Sequence, residues 1–271
     1  MKYAVYEIQK KGSRNNQVLQ IQRSLPIWSL DKKFTFDGIY GKGTENAVKL
    51  FQKQMGLVSD GIVGEVTAKV LGVWEDVVEG FDVSHWNKID WLNYDENLNL
   101  KFINIKCTEG ATFVDPECTT NISNALECGL DVGVYHFTKF QNDPRKEATF
   151  FYKQVMDYSF FISSMYLDLE YRTTNLNNKE IYDWAITFLN YLSSITPDFT
   201  KVGIYTSNNY ILEKKLQSVF TQNILKYDLW AANWSEQPIV YPWDTWNTWQ
   251  YTSRGQLPFV EGDVDLNLKI K

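Results

Sequence analysis

From Phe160 to Leu169 the chain is almost wholly apolar, and this run closes on Asp168, Leu169 and Glu170. Successive side chains of a strand point to opposite faces, so residues i and i+2 share one face. Asp168 and Glu170 then sit together, roughly 6.7 Å apart at the backbone for a rise of about 3.3 Å per residue. An apolar strand with two acids on one side is costly to bury unless those acids face a cleft. A strand that ends at an open cleft is one fold that meets this demand. Crowded carboxylates push their pKa values apart, which leaves one protonated and one ionised near neutrality. That is equipment for acid/base hydrolysis, of glycosidic bonds in particular. The bland alternative is an edge strand with two solvated acids.

The rest of the chain supplies a setting for such a mouth. From residue 79 onward, apolar strand patterns alternate with helical ones. Strands are predicted at Gly80–Val83, Phe102–Cys107, Val132–Phe137, Met165–Glu170, Val202–Tyr205, Leu229–Asn233 and Thr248–Tyr251. Helices are predicted at Cys118–Cys128, Pro144–Tyr158, Lys179–Ile195 and Ser207–Phe220. This order reads as an α/β barrel or a doubly wound sheet. In a barrel, chemistry gathers at the C-terminal ends of the strands. Asp82, Glu109, His136, Asp168, Glu170, Tyr205, Asn233 and Gln250 all fall there.

The first 74 residues are different. Asp37-Gly38-Ile39-Tyr40-Gly41-Lys42-Gly43-Thr44 recurs 23 positions later as Asp60-Gly61-Ile62-Val63-Gly64-Glu65-Val66-Thr67. Asp-Gly is a turn signal, and a helical pattern follows each copy. With an earlier helix around Val18, Leu19, Ile21, Gln22 and Leu25, this predicts a small three-helix module. A calcium loop is disfavoured, because each copy lacks the other acidic ligands. Residues 73–79 read as a short link.

Charge divides the chain in the same place. Residues 1–75 hold 11 basic and 7 acidic residues, a net of +4, and the remainder holds 16 and 26, a net of −10. A basic module beside an acidic one suggests that the first meets a polyanion. No nucleic-acid motif is present, and a wall rich in phosphate polymers serves equally. Two histidines, and no His-Glu-x-x-His run, argue against a histidine-based zinc site; neither metal nor cofactor is expected. Cys107, Cys118 and Cys128 are an odd set without metal spacing and read as free, mostly buried thiols. No run is long enough for a membrane helix and none has the standard form of a signal peptide, so synthesis in a cytoplasm is expected.

Two resemblances sharpen this reading. Val18-Leu19-Gln20, Asp37-Gly38, Gly41, Thr44, Ala47-Val48, Phe51-Gln52, Gly56-Leu57, Asp60-Gly61, Gly64 and Thr67 resemble the peptidoglycan-binding domain of cell-wall hydrolases. The likeness covers about 14–72 within a first domain of 1–74. From 79 to 271 the chain resembles the family 25 glycoside hydrolases, the muramidase lysozymes. The matching segments include Gly80-Phe81-Asp82-Val83-Ser84, Lys106-Cys107-Thr108-Glu109-Gly110, Val132-Gly133-Val134-Tyr135-His136-Phe137, Leu167-Asp168-Leu169-Glu170, Leu229-Trp230-Ala231-Ala232, Trp249-Gln250-Tyr251-Thr252 and Val264-Asp265-Leu266-Asn267.

The resemblance implies an irregular β/α barrel that cleaves the β-1,4 bond between N-acetylmuramic acid and N-acetylglucosamine. Glu170 matches the general acid, and Asp168, Asp82 and Asp265 match the other carboxylates of the cleft. The family's use of the substrate's acetamido group as nucleophile would give Asp168 the task of orienting it. Tyr135, Tyr171, Tyr205 and Trp249 are candidate sugar platforms, with Gln250 beside them. His136 is expected to be structural, Lys106 and Glu109 to pair, and Trp86 to line the cleft or cover the barrel end. The expected partner is peptidoglycan, without nucleic acid or membrane insertion. The modules suggest a phage endolysin released at lysis; a bacterial autolysin or a silent wall-binding protein are the alternatives.

Overall fold

The computed structural model describes residues 5–26, 29–31, 34–235, 237–238, 241–243 and 245–271. The chain divides into two compact units, Met1–Val77 with Ile270–Lys271, and Val78–Lys269.

The first unit holds α1 (Asn16–Ser24), α2 (Lys42–Gln54) and α3 (Glu65–Val70). The Asn15 side chain caps α1 by accepting from the Val18 N–H at 2.9 Å. Val18 and Ile21 from α1, and Ala47, Val48 and Phe51 from α2, form one apolar stripe each and share a core with Val63 and Ala68. The repeated octapeptide has a specific cause. Gln22, 1 % exposed, sends its Nε2 to Asp37 Oδ1 (3.0 Å), the Ile39 carbonyl (3.1 Å) and Thr44 Oγ1 (3.1 Å). The Gly38 N–H returns a bond to its Oε1 at 2.9 Å. Gln52 repeats the pattern with Asp60 (2.9 Å), the Ile62 carbonyl (2.8 Å), Thr67 (3.1 Å) and the Gly61 N–H (2.8 Å). Gly38 and Gly61 take φ of 72° and 76°, where a side chain would be strained. Each copy is thus a turn closed on a buried glutamine from the preceding helix. Its Asp and Thr side chains are spent inside the module.

Residues 73–79 are no free link. Val73 lies in the first core, its carbonyl accepts from the Val5 N–H, the Val5 carbonyl accepts from the Glu75 N–H, and a strand starts at Val77.

The remaining elements are β1 (Val77–Val83), β2 (Lys88–Ile89), β3 (Phe102–Glu109), β4 (Phe113–Val114), α4 (Cys118–Glu127), β5 (Asp131–Phe137), α5 (Pro144–Val155), β6 (Ile162–Asp168), α6 (Asn178–Ile195), β7 (Lys201–Ser207), α7 (Asn208–Glu213), β8 (Asp228–Ala232), β9 (Thr248–Gly255), β10 (Val260–Glu261) and β11 (Val264–Ile270). The sheet runs β1-β11-β9-β8-β7-β6-β5-β3 and closes through a β1–β3 pairing, with β4 added outside β3. It is an eight-stranded barrel of mixed α/β type. Its strands from β3 through β9 pair in parallel, and β1 is parallel to β3. β11 is antiparallel to β9, so its first residues, and not its last, lie at the mouth where the other strands end. Tyr166, Tyr205 and Trp230 fill the interior, and Gly203 makes room: a Cβ there would meet the Tyr166 ring at 2.5 Å.

Three expectations need correction. β6 stops at Asp168, although the Leu169 N–H still donates to the Tyr205 carbonyl at 2.9 Å, so Glu170 lies just beyond the strand. The helix expected at Ser207–Phe220 breaks after α7, where Lys215 takes a left-handed φ of 53°. Cys107 and Cys118 are not free thiols but form a disulfide; Cys128 alone is free. Cys107 therefore ties the barrel to α4.

Candidate active site

Asp82, near the end of β1, is 6 % exposed. Its Oδ2 accepts from Gln250 Nε2 at 2.9 Å and Asn267 Nδ2 at 2.7 Å. Asn267 is itself aligned by the Trp230 indole N–H at 2.8 Å. Gln250 Oε1 accepts from the Tyr205 hydroxyl (3.1 Å) and the Trp234 indole N–H (3.2 Å). One hydrogen-bonded chain thus crosses from β8 through β11 to β1, then to β9 and β7.

Asp168 ends β6 and is 5 % exposed; its Oδ1 has no hydrogen-bond partner among the described residues. Glu170 is half-buried beyond it. Asp265 is the second residue of β11, and the reversed direction of that strand brings it to the same mouth.

The four carboxylates feel one another. Burial, then the charge of Asp265, pushes Asp82 well above the usual carboxylate range; the two amides oppose this and Glu170 adds to it. Burial, then Glu170, does the same to Asp168, against the pull of Lys106. Burial raises Glu170, with Arg172 and Lys106 opposing. Burial and Glu170 push Asp265 up to about 6. Tyr205 lies in the field of all four, and burial together with their charges carries its phenol well above the ordinary range. A site that keeps several acids buried without a dedicated cation holds protons near neutral pH. Among the described residues no cluster of His, Cys, Asp and Glu is arranged to hold a metal ion.

The other sequence candidates divide. Tyr205 and Gln250 join the network. Tyr135 lies against the interior cluster, its ring edge-on to Trp230 at 5.7 Å. Tyr171 lies past β6, with its ring edge-on to Phe137 at 6.2 Å. Trp249 is not brought into the cleft. It alternates with Gln250 along β9, so it faces the other side, where it packs on Trp246 at 5.8 Å. Its indole N–H holds the Asn233 carbonyl at 2.8 Å.

His136 is fully buried between Thr108 Oγ1 (2.8 Å) and Glu147 Oε2 (3.0 Å), the structural role expected of it. Lys106 pairs with Glu109 at 2.9 Å, and Lys139 joins them. Trp86 is 81 % exposed and packs on His85. Reading by residue type missed Asn267 and Trp234. Asn267 closes the recognised segment Val264-Asp265-Leu266-Asn267, and Trp234 stands two residues beyond Leu229-Trp230-Ala231-Ala232, which was their only signal.

Residues 81–260 match the family described as glycosyl hydrolases family 25, and residues 14–71 match a putative peptidoglycan binding domain. Lysozyme M1 of Streptomyces globisporus is 28 % identical over 202 residues, 70 % of this chain and 67 % of that one. The crystal structure of the bacterial lysozyme from Streptomyces coelicolor superposes with a TM-score of 0.61 at 26 % identity, covering 72 % of this chain and 92 % of that one. The CTP1L endolysin structure superposes with a TM-score of 0.56 at 27 % identity, covering 72 % and 66 %. The chain belongs to glycosyl hydrolases family 25, and is a glycoside hydrolase of the lysozyme kind that carries a peptidoglycan-binding module before its barrel.

Proposed function

We propose that this peptidoglycan hydrolase is an N-acetylmuramidase, cutting the β-1,4 link so that N-acetylmuramic acid becomes the new reducing end. The observation that carries this reading is the carboxylate cluster: four acids at one mouth, raised by burial, with one Asp168 oxygen unpartnered. Glu170, more open to solvent than Asp168, keeps its proton and gives it to the leaving oxygen. As that bond breaks, positive charge grows on the sugar carbon. Asp82 and Asp265 stabilise it at close range. The free Asp168 oxygen accepts the N–H of the substrate's acetamido group and turns the amide oxygen toward the same carbon. Attack by the substrate's own group removes the need for a protein nucleophile, an exception to the usual two-carboxylate scheme. Water then adds at the sugar carbon, breaking its bond to the acetamido oxygen and giving up a proton to the Glu170 carboxylate.

The wall is the partner in this reading, and the enzyme acts there as a phage endolysin after release from the cytoplasm that makes it. Likeness to the CTP1L endolysin supports this origin. Expressed in a sensitive host, the protein should leave cells intact until a pore-forming protein is supplied.

Borohydride reduction of digested walls tests the bond. Muramitol at every new end is the expected result. Label on glucosamine alone, or opening of amide bonds only, would sink the proposal.

A further inference from the structure

Beside Glu170 lies a cavity of about 190 Å³ that none of the other three cleft acids lines. Its walls include Arg172, Asn208, Asn209, Asn233 and Trp234. Trp234 is 61 % exposed, yet its indole edge is fixed on Gln250 Oε1 at 3.2 Å, the glutamine that also holds Asp82. The backbone before it is pinned twice. Trp249 donates to the Asn233 carbonyl at 2.8 Å, and the Asn233 N–H donates to the Gln250 carbonyl at 3.1 Å. An aromatic ring that is both exposed and held in one orientation is a prepared platform for a flat apolar surface.

The amide wall adds a second requirement. Asn208 opens α7, and its Oδ1 is buried without a hydrogen-bond partner among the described residues. A buried acceptor that the described residues leave unpartnered is open to a donor from a ligand. Among the described residues, the charged ones lining the pocket are Glu170 and Arg172, and Arg172 pairs with Glu213. The matching ligand has an apolar ring face, an amide N–H and no charge, which describes an N-acetylhexosamine.

We propose that this pocket binds the N-acetylglucosamine that departs, its ring on Trp234 and its acetamido N–H on Asn208 Oδ1. The inference rests on the muramidase reading, in which the sugar accepting the proton from Glu170 lies on the outer side of that residue. Trp249 then serves the platform without touching the sugar: it positions the loop that carries Trp234.

Full-length protein tests this on purified walls, acetylated or with the glucosamine de-N-acetylated. Trp234→Ala should raise KM on acetylated walls roughly tenfold, equivalent to about 1.4 kcal/mol and the scale of one aromatic contact. Trp234→Phe should recover most of the loss. Wild type should prefer acetylated walls, and Asn208→Ala should shrink that preference toward one without lowering Tm. An unchanged KM in Trp234→Ala, no preference in wild type, or an undiminished preference in Asn208→Ala would each overturn the subsite. If Trp234→Ala failed to fold, Asn208→Ala and Trp234→Phe would decide alone. Walls that yield no muramitol with wild type would instead remove the muramidase reading, and the subsite with it.

Discussion

Asp82 is buried on two amides and no cation, which leaves its charge only partly compensated. Asp265 shares the condition and gives it a measurable form. Its pKa rises from 3.8 to about 6. A carboxyl with a folded pKa above its unfolded one binds protons on folding, so stability falls as pH rises between the two values. The contribution is fully present below about pH 4 and lost above about pH 6. Asp265→Asn should therefore stabilise the protein at pH 7 by on the order of 1–3 kcal/mol, at about 1.4 kcal/mol per unit. At pH 4 the difference should largely vanish, and activity should drop throughout. Denaturant midpoints at the two pH values check this, and a variant less stable at pH 7 would contradict it. Glu170→Gln keeps the shape of the acid and removes its proton. Its kcat should fall by roughly 10²–10⁴, with an unfolding midpoint no lower than wild type. Near-native activity would end the assignment of Glu170 as the acid.

At the scale of elements, the two glutamines of the first unit explain a motif that looked like a binding signature. Gln52→Ala would strand Asp60, Thr67 and the Gly61 N–H around a vacated site. The expected cost is roughly 2–4 kcal/mol, the sum of one packing loss and several unmade hydrogen bonds. Thermal unfolding should show it, while turnover of soluble muropeptides should stay the same. Loss of turnover would show that the two units are energetically linked. How much was legible also divides by element. β1, β3 and β5 to β9 were readable because apolar runs and helical spacing alternate cleanly, whereas β2 and β4, at two residues each, were not read. β11 escaped although Val264, Leu266, Leu268 and Ile270 alternate with Asp265, Asn267 and Lys269. Its polar positions Asp265 and Asn267 serve the cleft inside the barrel, the reverse of the usual expectation that polar means solvent. Trp249 was named a sugar platform by residue type, yet along β9 it alternates with Gln250 and faces the other side. Residue type names a sugar platform, but only the facing decides which ring the sugar meets. The Cys107–Cys118 bridge gave no spacing signal in an odd set of three.

For the molecule as a whole, the two charge blocks set the expectation. The residues from 76 on carry a net of −10, which opposes approach to an anionic wall, and residues 1–75 carry +4. A tether raises local concentration without changing the chemistry. A fragment starting at Val78 should cleave soluble muropeptides at close to the full-length rate and clear intact walls much more slowly. Phe36, Val58 and Val66 of the first unit are 52 %, 79 % and 66 % exposed, and contacts made by such side chains are not screened by salt. Most of the difference should thus survive about 0.5 M salt, where the Debye length is well under 8 Å. Equal clearing by fragment and full-length enzyme at low salt would show that the first module does not target the wall.

β11 is the last strand of the barrel in chain order, and it delivers both Asp265 and the Asn267 amide on Asp82. A ribosome that has passed β10 has made Asp82, Asp168 and Glu170, but not the strand that closes the ring between β9 and β1. The cutting edge is complete only once translation has moved beyond Val264. Chains that stop before Val264 therefore carry most of the fold but lack one acid of the cleft and one of the two amides on Asp82.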